Sequence, residues 1–217
     1  SENNAFVNIS SSDSKGNLST FVDWNKSLKA WWRFDASPVE VTMESGSISS
    51  NGSAWLTVNT INEYSNPVVF ATVNTDNGNG GSHLAKVRNV QSNNFEIMFC
   101  EHDGTDGGCD TSHGNETVGY LVVEKNELDS VEGVEVGTTT ISNSGGQPGD
   151  TSTISLGETF SSNAIVIATQ QTYNEAGESV VQSPSTSTSS FDLYLCDHDE
   201  SSIDYCESHG NEEVAWI

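Results

Sequence analysis

Phe95-Glu-Ile-Met-Phe-Cys100-Glu-His102-Asp103, followed by Cys109 and Ser112-His113-Gly-Asn-Glu116, returns near the C-terminus as Phe191-Asp-Leu-Tyr-Leu-Cys196-Asp-His198-Asp199, Cys206 and Ser208-His209-Gly-Asn-Glu212. Phe95 to Phe191 and His113 to His209 share an offset of 96 residues, and the cysteines are one residue further apart in the second copy. The chain is therefore a tandem duplication of a whole folding unit together with its cysteine pair. Such repetition points to a built surface rather than to a single reaction centre.

The phrase opens on a short apolar run, read as a strand of a sandwich that hides alternate side chains. Outward from it, short apolar runs are separated by Asn, Gly, Ser and Thr, and no window keeps a helical apolar period over three turns. In the first copy strands are expected near Val39–Met43, Ala54–Val58, Val68–Asn74, Ala85–Val90, Phe95–Cys100 and Thr117–Val123. The second copy repeats them near Val134–Val136, Thr153–Leu156, Ala164–Gln170, Ser179–Gln182, Phe191–Cys196 and Glu213–Ile217. The fold expected is all-β: two tandem antiparallel six-stranded β-sandwiches, residues 38–126 and 127–217, with Lys125–Gly133 as linker. The last strand of the second copy is expected to be about three residues shorter than its counterpart.

Residues 1–37 precede both copies and form an arm with two strand-like pieces, Ala5–Ile9 and Leu18–Trp24. Phe6, Val7, Ile9, Phe21 and Trp24 are its candidate assembly residues, because an apolar strand on an arm can add to a neighbour's sheet edge. The alternative is a lid packed on the first copy.

Composition excludes several classes of function. The 217 residues carry 7 basic and 31 acidic side chains, a formal charge of -24. A phosphate backbone or an anionic membrane would be repelled, so no nucleic-acid partner is expected. No apolar run approaches the ~18 residues of a membrane span. The absence of a leader-like N-terminus fits a mature, processed chain.

Cys100/Cys109 and Cys196/Cys206 each close a short polar loop and read as two local disulfides. In the chain-entropy picture each is worth roughly 2–3 kcal/mol, and such bonds persist in oxidising compartments, which implies an extracellular or cell-surface location. A zinc site would need closer cysteine spacing. The sequons at Asn8, Asn17, Asn25, Asn51 and Asn115 permit N-glycosylation in that setting.

His102, Asp103, His113 and Glu116 crowd one disulfide loop, and His198, Asp199, His209 and Glu212 the other. Imidazole with carboxylate suits a divalent cation: zinc would select the histidines and calcium the carboxylates. The competing reading is structural, with the histidines bonding the turns and Glu116 and Glu212 opening the last strands. A serine-nucleophile motif, a placeable glycosidase carboxylate pair and a cofactor signature are all missing, so the expected protein is not an enzyme.

The order Val41-Thr-Met-Glu-Ser-Gly46, Ala54-Trp55-Leu-Thr-Val58, Asn66-Pro-Val-Val-Phe-Ala-Thr72, Lys86-Val-Arg-Asn-Val90 and Glu116-Thr-Val-Gly-Tyr-Leu-Val-Val-Glu124 resembles the H-type lectin domain. Asn163-Ala-Ile-Val-Ile-Ala-Thr169 through Glu213-Val-Ala-Trp-Ile217 follows the same order. The resemblance implies a six-stranded sandwich, and for family members trimeric lectins that hold N-acetylgalactosamine-type sugars at subunit interfaces. The family's sugar-site positions fall here on Asn59-Thr-Ile-Asn-Glu63, Ser82 and Glu101-His102-Asp103, which depart from its acidic loop, Arg and Trp-His pair. Two functions are expected on these grounds. One is an extracellular structural subunit of a surface filament or appendage, joined to copies of itself through the arm. The alternative is a secreted or cell-surface adhesin binding glycans.

Overall fold

The computed structural model describes residues 11–13, 16–18, 41–52, 54–77, 82–102, 109, 114–128, 133–146, 150–175, 179–196 and 206–217. The chain divides into two compact units, Ser1–Glu40 and Val41–Ile217. In the first, β1 (Ser11–Asp13) and β2 (Gly16–Leu18) pair antiparallel with Ser11 opposite Leu18. Leu18 therefore closes β2. The other residues of the expected arm strands, including Phe6, Val7, Ile9, Phe21 and Trp24, lie outside the described residues.

The second unit is built of strands, with one helical turn. The first copy supplies β3 (Met43–Ser50), β4 (Leu56–Asn59), β5 (Pro67–Val73), β6 (Ser82–Arg88), β7 (Asn94–His102) and β8 (Glu116–Glu124). After α1 (Lys125–Leu128) the second supplies β9 (Gly137–Gly146), β10 (Ser152–Ser155), β11 (Ala168–Gln170), β12 (Val180–Gln182), β13 (Ser190–Cys196) and β14 (Cys206–Trp216). Each copy makes two antiparallel three-stranded sheets in the same order: β3-β8-β5 with β4-β7-β6, then β11-β14-β9 with β10-β13-β12. The repeated phrase is the central strand of the second sheet in each copy. No helix among the described residues is long and apolar enough to cross a membrane.

Alternation along that strand builds the core. Phe95, Ile97 and Phe99 are buried with Val69, Val118 and Val122 of the facing sheet, while Phe191, Leu193 and Leu195 are buried with Ile141, Val214 and Trp216. Phe95 meets Tyr120 edge-on with ring centroids 5.2 Å apart, and Phe191 meets Trp216 in the same way at 5.2 Å. These second aromatics cover glycines. Tyr120 lies across from Gly46 and Trp216 across from Gly137, and a Cβ on either glycine would collide with the ring. A bare backbone under an aromatic fills space that two side chains could not share.

Three expectations about elements are revised. The first strands of the copies are the polar stretches β3 and β9, which pair along β8 and β14: of the expected Val39–Met43, Met43 opens β3, Val41 and Thr42 precede it and residues 39–40 lie outside the described residues, while Val134 and Val136 of the expected Val134–Val136 join a separate apolar cluster. Of Ala164–Gln170, Ala168–Gln170 is strand. The segment expected as linker opens with α1, whose Leu128 is buried in that same cluster.

Candidate functional site

Cys100 and Cys109 are joined, with Cα atoms 4.7 Å apart, and Cys196 is also disulfide-bonded. Around the loops, Asp103, His113, His198 and Asp199 lie outside the described residues, as do the side chains of His102 in β7 and Cys206 in β14. Asn8 and Asn25 are likewise outside; Asn17 lies in β2, and Asn51 and Asn115 are exposed in the second unit.

Glu116 and Glu212 are fully buried, and both are engaged in the same way. Glu116 accepts the Thr75 hydroxyl at 2.5 Å and the Asn77 N–H at 2.6 Å, while the Asn77 amide donates to the Asn115 carbonyl at 2.8 Å. Glu212 accepts the Thr172 hydroxyl, the Asn174 N–H at 2.7 Å and the Glu175 N–H at 3.2 Å, while the Asn174 amide donates to the Asn211 carbonyl at 2.8 Å. In each copy the threonine oxygen then accepts the next strand N–H, from Thr117 or Glu213. A carboxylate accepting backbone and hydroxyl donors is how a buried acid is satisfied without a cation. His209 is buried too, with Nδ1 3.1 Å from the Gly210 carbonyl oxygen. Among the described residues no group of three or more His, Cys, Asp and Glu side chains gathers to hold a metal ion.

The chemistry of this unit concentrates where the two copies meet. Val68, Phe70 and Val123, on the side of their sheet away from the first core, are buried with Leu128, Val136 and Ala215. Beside them Gln171 lies along the edge of β5. Its Oε1 accepts the Val69 N–H at 2.8 Å and its Nε2 donates to the Val69 carbonyl at 2.7 Å. The primary amide thus completes an edge strand as a further strand would, which removes a pair of open backbone groups. Nε2 also faces the carbonyls of Thr169 and Gln170 at 3.0 and 3.1 Å.

Lys86, one of the 7 basic residues, is buried in the same seam. Its ammonium donates to Gln170 Oε1 and Ser179 Oγ, each at 3.0 Å, and to the Ser179 carbonyl. Arg88 lies 4.0 Å over the Trp55 ring and bonds Glu96 at 2.6 Å, which holds the Glu96 carboxyl below its usual range; Trp55 in turn meets Tyr173 of the second copy at 5.2 Å.

This contact is not two-fold. By the repeat, Val68 and Phe70 correspond to Ile165 and Ile167; the former are 1% and 6% exposed, the latter 90% and 57%. An isologous contact would bury both pairs alike. Ile165 and Ile167 instead line an apolar cavity of about 360 Å³ with Val134, Leu156, Phe160 and Ile217.

The strand expected near Ala164–Gln170 contains Ile165 and Ile167, and neither Gln171 nor Lys86 is among the expected site residues. One signal was available: where the first copy has Asn74, the second has the longer Gln171, able to reach further. Compared with protein-family models, curated proteins and solved structures, the chain gives no match.

Proposed function

We propose that the chain is an extracellular, non-enzymatic structural protein, a self-assembling subunit of a surface filament or appendage whose N-terminal arm adds a strand to a neighbouring molecule. The observation that carries this reading is the seam in which one copy of the unit grips another, with Gln171 completing the β5 edge and Lys86 buried between the copies. A sheet edge that bonds a side-chain amide from the other copy has the chemistry to accept a strand from another molecule. The bonded cysteines support an oxidising compartment. The buried glutamates, held by their own loops, support a holding role over catalysis.

Electron microscopy and sedimentation of the full chain test this reading. Wild type is expected to form polymers, and the variant Phe6→Ser/Ile9→Ser discrete particles. A wild-type chain that never assembles, or a variant that assembles as well, rules the arm-joined filament out.

One observation favours glycan binding as a second reading. A polar cleft of about 360 Å³ opens between the copies, lined by Asn66, Asn89, Lys125, Thr138 and Glu213 among others. Hydroxyl-rich ligands suit such a lining, and the H-type lectin resemblance implies sugars held between units. A glycan array probed with and without calcium decides this: saturable binding supports the adhesin, and its absence removes it.

A further inference from the structure

We propose that the open apolar face at Ile165 and Ile167 is a docking site for a second copy of this chain, entered by the second molecule's Met43 edge, so that molecules stack head to tail. The proposal rests on the self-assembly reading but uses a contact separate from the arm.

The occupant follows from the seam. A surface of this chemistry is already covered once within the molecule: Val68 and Phe70, the counterparts of Ile165 and Ile167, are buried with Val136 and Ala215 of the other copy and Leu128 of α1, and Val134 packs against them. Apart from Leu128 of α1, what covers the first pair is a piece of the repeat itself, and that piece occurs once more. Gly137 lies opposite Trp216 as Gly46 lies opposite Tyr120, so Val134 and Val136 correspond to Met43 and Ser45. The glutamate between them confirms the register, since Glu135 accepts the Gly157 N–H and Glu44 those of Ile61 and Asn62, in the loop after the second strand of each copy. Val134 is half-buried in the seam whereas its counterpart Met43 is 48% exposed, and Val136 is buried whereas its counterpart Ser45 is exposed.

Each half of the internal contact therefore has an unused counterpart, Ile165/Ile167 on the second copy and Met43 on the first. A heterologous contact with one free face of each kind propagates instead of closing. Exposed isoleucines grouped over an apolar cavity also need a cover in water. Val166 corresponds to Val69, and the incoming first copy carries Asn74 where Gln171 stands, so a shorter amide approaches the same kind of edge.

Charge sets how this docking responds to salt. With 31 acidic and 7 basic residues, two copies repel at long range. Screening falls from about 30 Å at 0.01 M to about 3 Å at 1 M ionic strength, so self-docking strengthens as salt rises. A cationic partner would show the reverse.

The test is sedimentation velocity on full-length chains from about 0.01 to about 1 M salt. Wild type is expected to associate more tightly at high salt. Ile165→Ser/Ile167→Ser is expected to weaken association at least about tenfold, and Met43→Ser to weaken it in the same direction, with unchanged circular dichroism because these side chains are exposed. Mixing the two variants, each also carrying Phe6→Ser/Ile9→Ser so that the arm takes no part, restores one intact pair of faces and is expected to give 1:1 complexes that grow no further. Undiminished association of the isoleucine variant overturns this docking site while leaving the arm contact standing. Loss confined to Phe6→Ser/Ile9→Ser does the same. Loss in the isoleucine and methionine variants, with Phe6→Ser/Ile9→Ser unaffected, supports the docking site and removes the arm. A wild-type chain that stays monomeric throughout overturns both.

Discussion

Replacing Gln171 by alanine should open the seam between the copies without touching either core. Gln171 is 5% exposed, and its amide satisfies both backbone groups of Val69 at 2.8 and 2.7 Å. Truncation leaves a buried N–H and a buried carbonyl on the β5 edge with no replacement at that distance. Each such group costs about 1–3 kcal/mol, partly relieved if water enters, so a net loss of about 2–4 kcal/mol is expected. For a unit of this size that lowers the melting temperature by roughly 5–15 °C. Gln171→Glu should do no better, because a carboxylate can accept the Val69 N–H but presents lone pairs to the carbonyls of Val69, Thr169 and Gln170. The assay is urea unfolding combined with hydrogen exchange of the Val69 amide. Exchange at Val69 should accelerate at least tenfold, while Phe191 and Leu193 in β13 stay protected. If Val69 remains as protected as in wild type and stability moves by less than about 0.5 kcal/mol, the amide is not what completes that edge.

Further outcomes follow from the repeated devices. Glu212→Gln and Glu116→Gln each replace a charged acceptor of hydroxyl and backbone donors, and each should lose about 1.5–3 kcal/mol by chemical denaturation; equal stability to wild type would mean the loops do not depend on the carboxylate. Gly137→Ala should cost about 1–3 kcal/mol by forcing Trp216 off its position, read as a change in tryptophan emission together with a lower midpoint. Burial, helped by the nearby Glu44 charge, raises the phenols of Tyr64 and Tyr120 above the ordinary value. Their contribution to stability is therefore complete below the unfolded phenol pKa and is lost as pH climbs through the raised one. Ultraviolet titration should show a late ionising step, and its loss in Tyr64→Phe/Tyr120→Phe checks the assignment.

The site was partly legible in the residues. Glu116 and Glu212 stood out by repetition, and the threonine and asparagine that each one bonds recur in both copies, Thr75/Asn77 and Thr172/Asn174; Glu116 opens β8, whereas Glu212 lies inside β14. Strand positions were less legible where polarity hid them. β3 and β9 expose few apolar side chains, and their place comes from pairing to β8 and β14 and from the rings of Tyr120 and Trp216 above their glycines.

The duplication and the all-β class were determined by sequence alone, since the phrase returns at a fixed offset and short apolar runs between turn residues carry no helical period. What only tertiary structure decided is the fate of equivalent residues. Val68 and Ile165 occupy the same position in the repeat, yet one is covered and the other open. Local pattern is identical for both, so nothing short-range separates them; the difference arises because a contact between two unlike faces buries each face in one copy and leaves its twin in water.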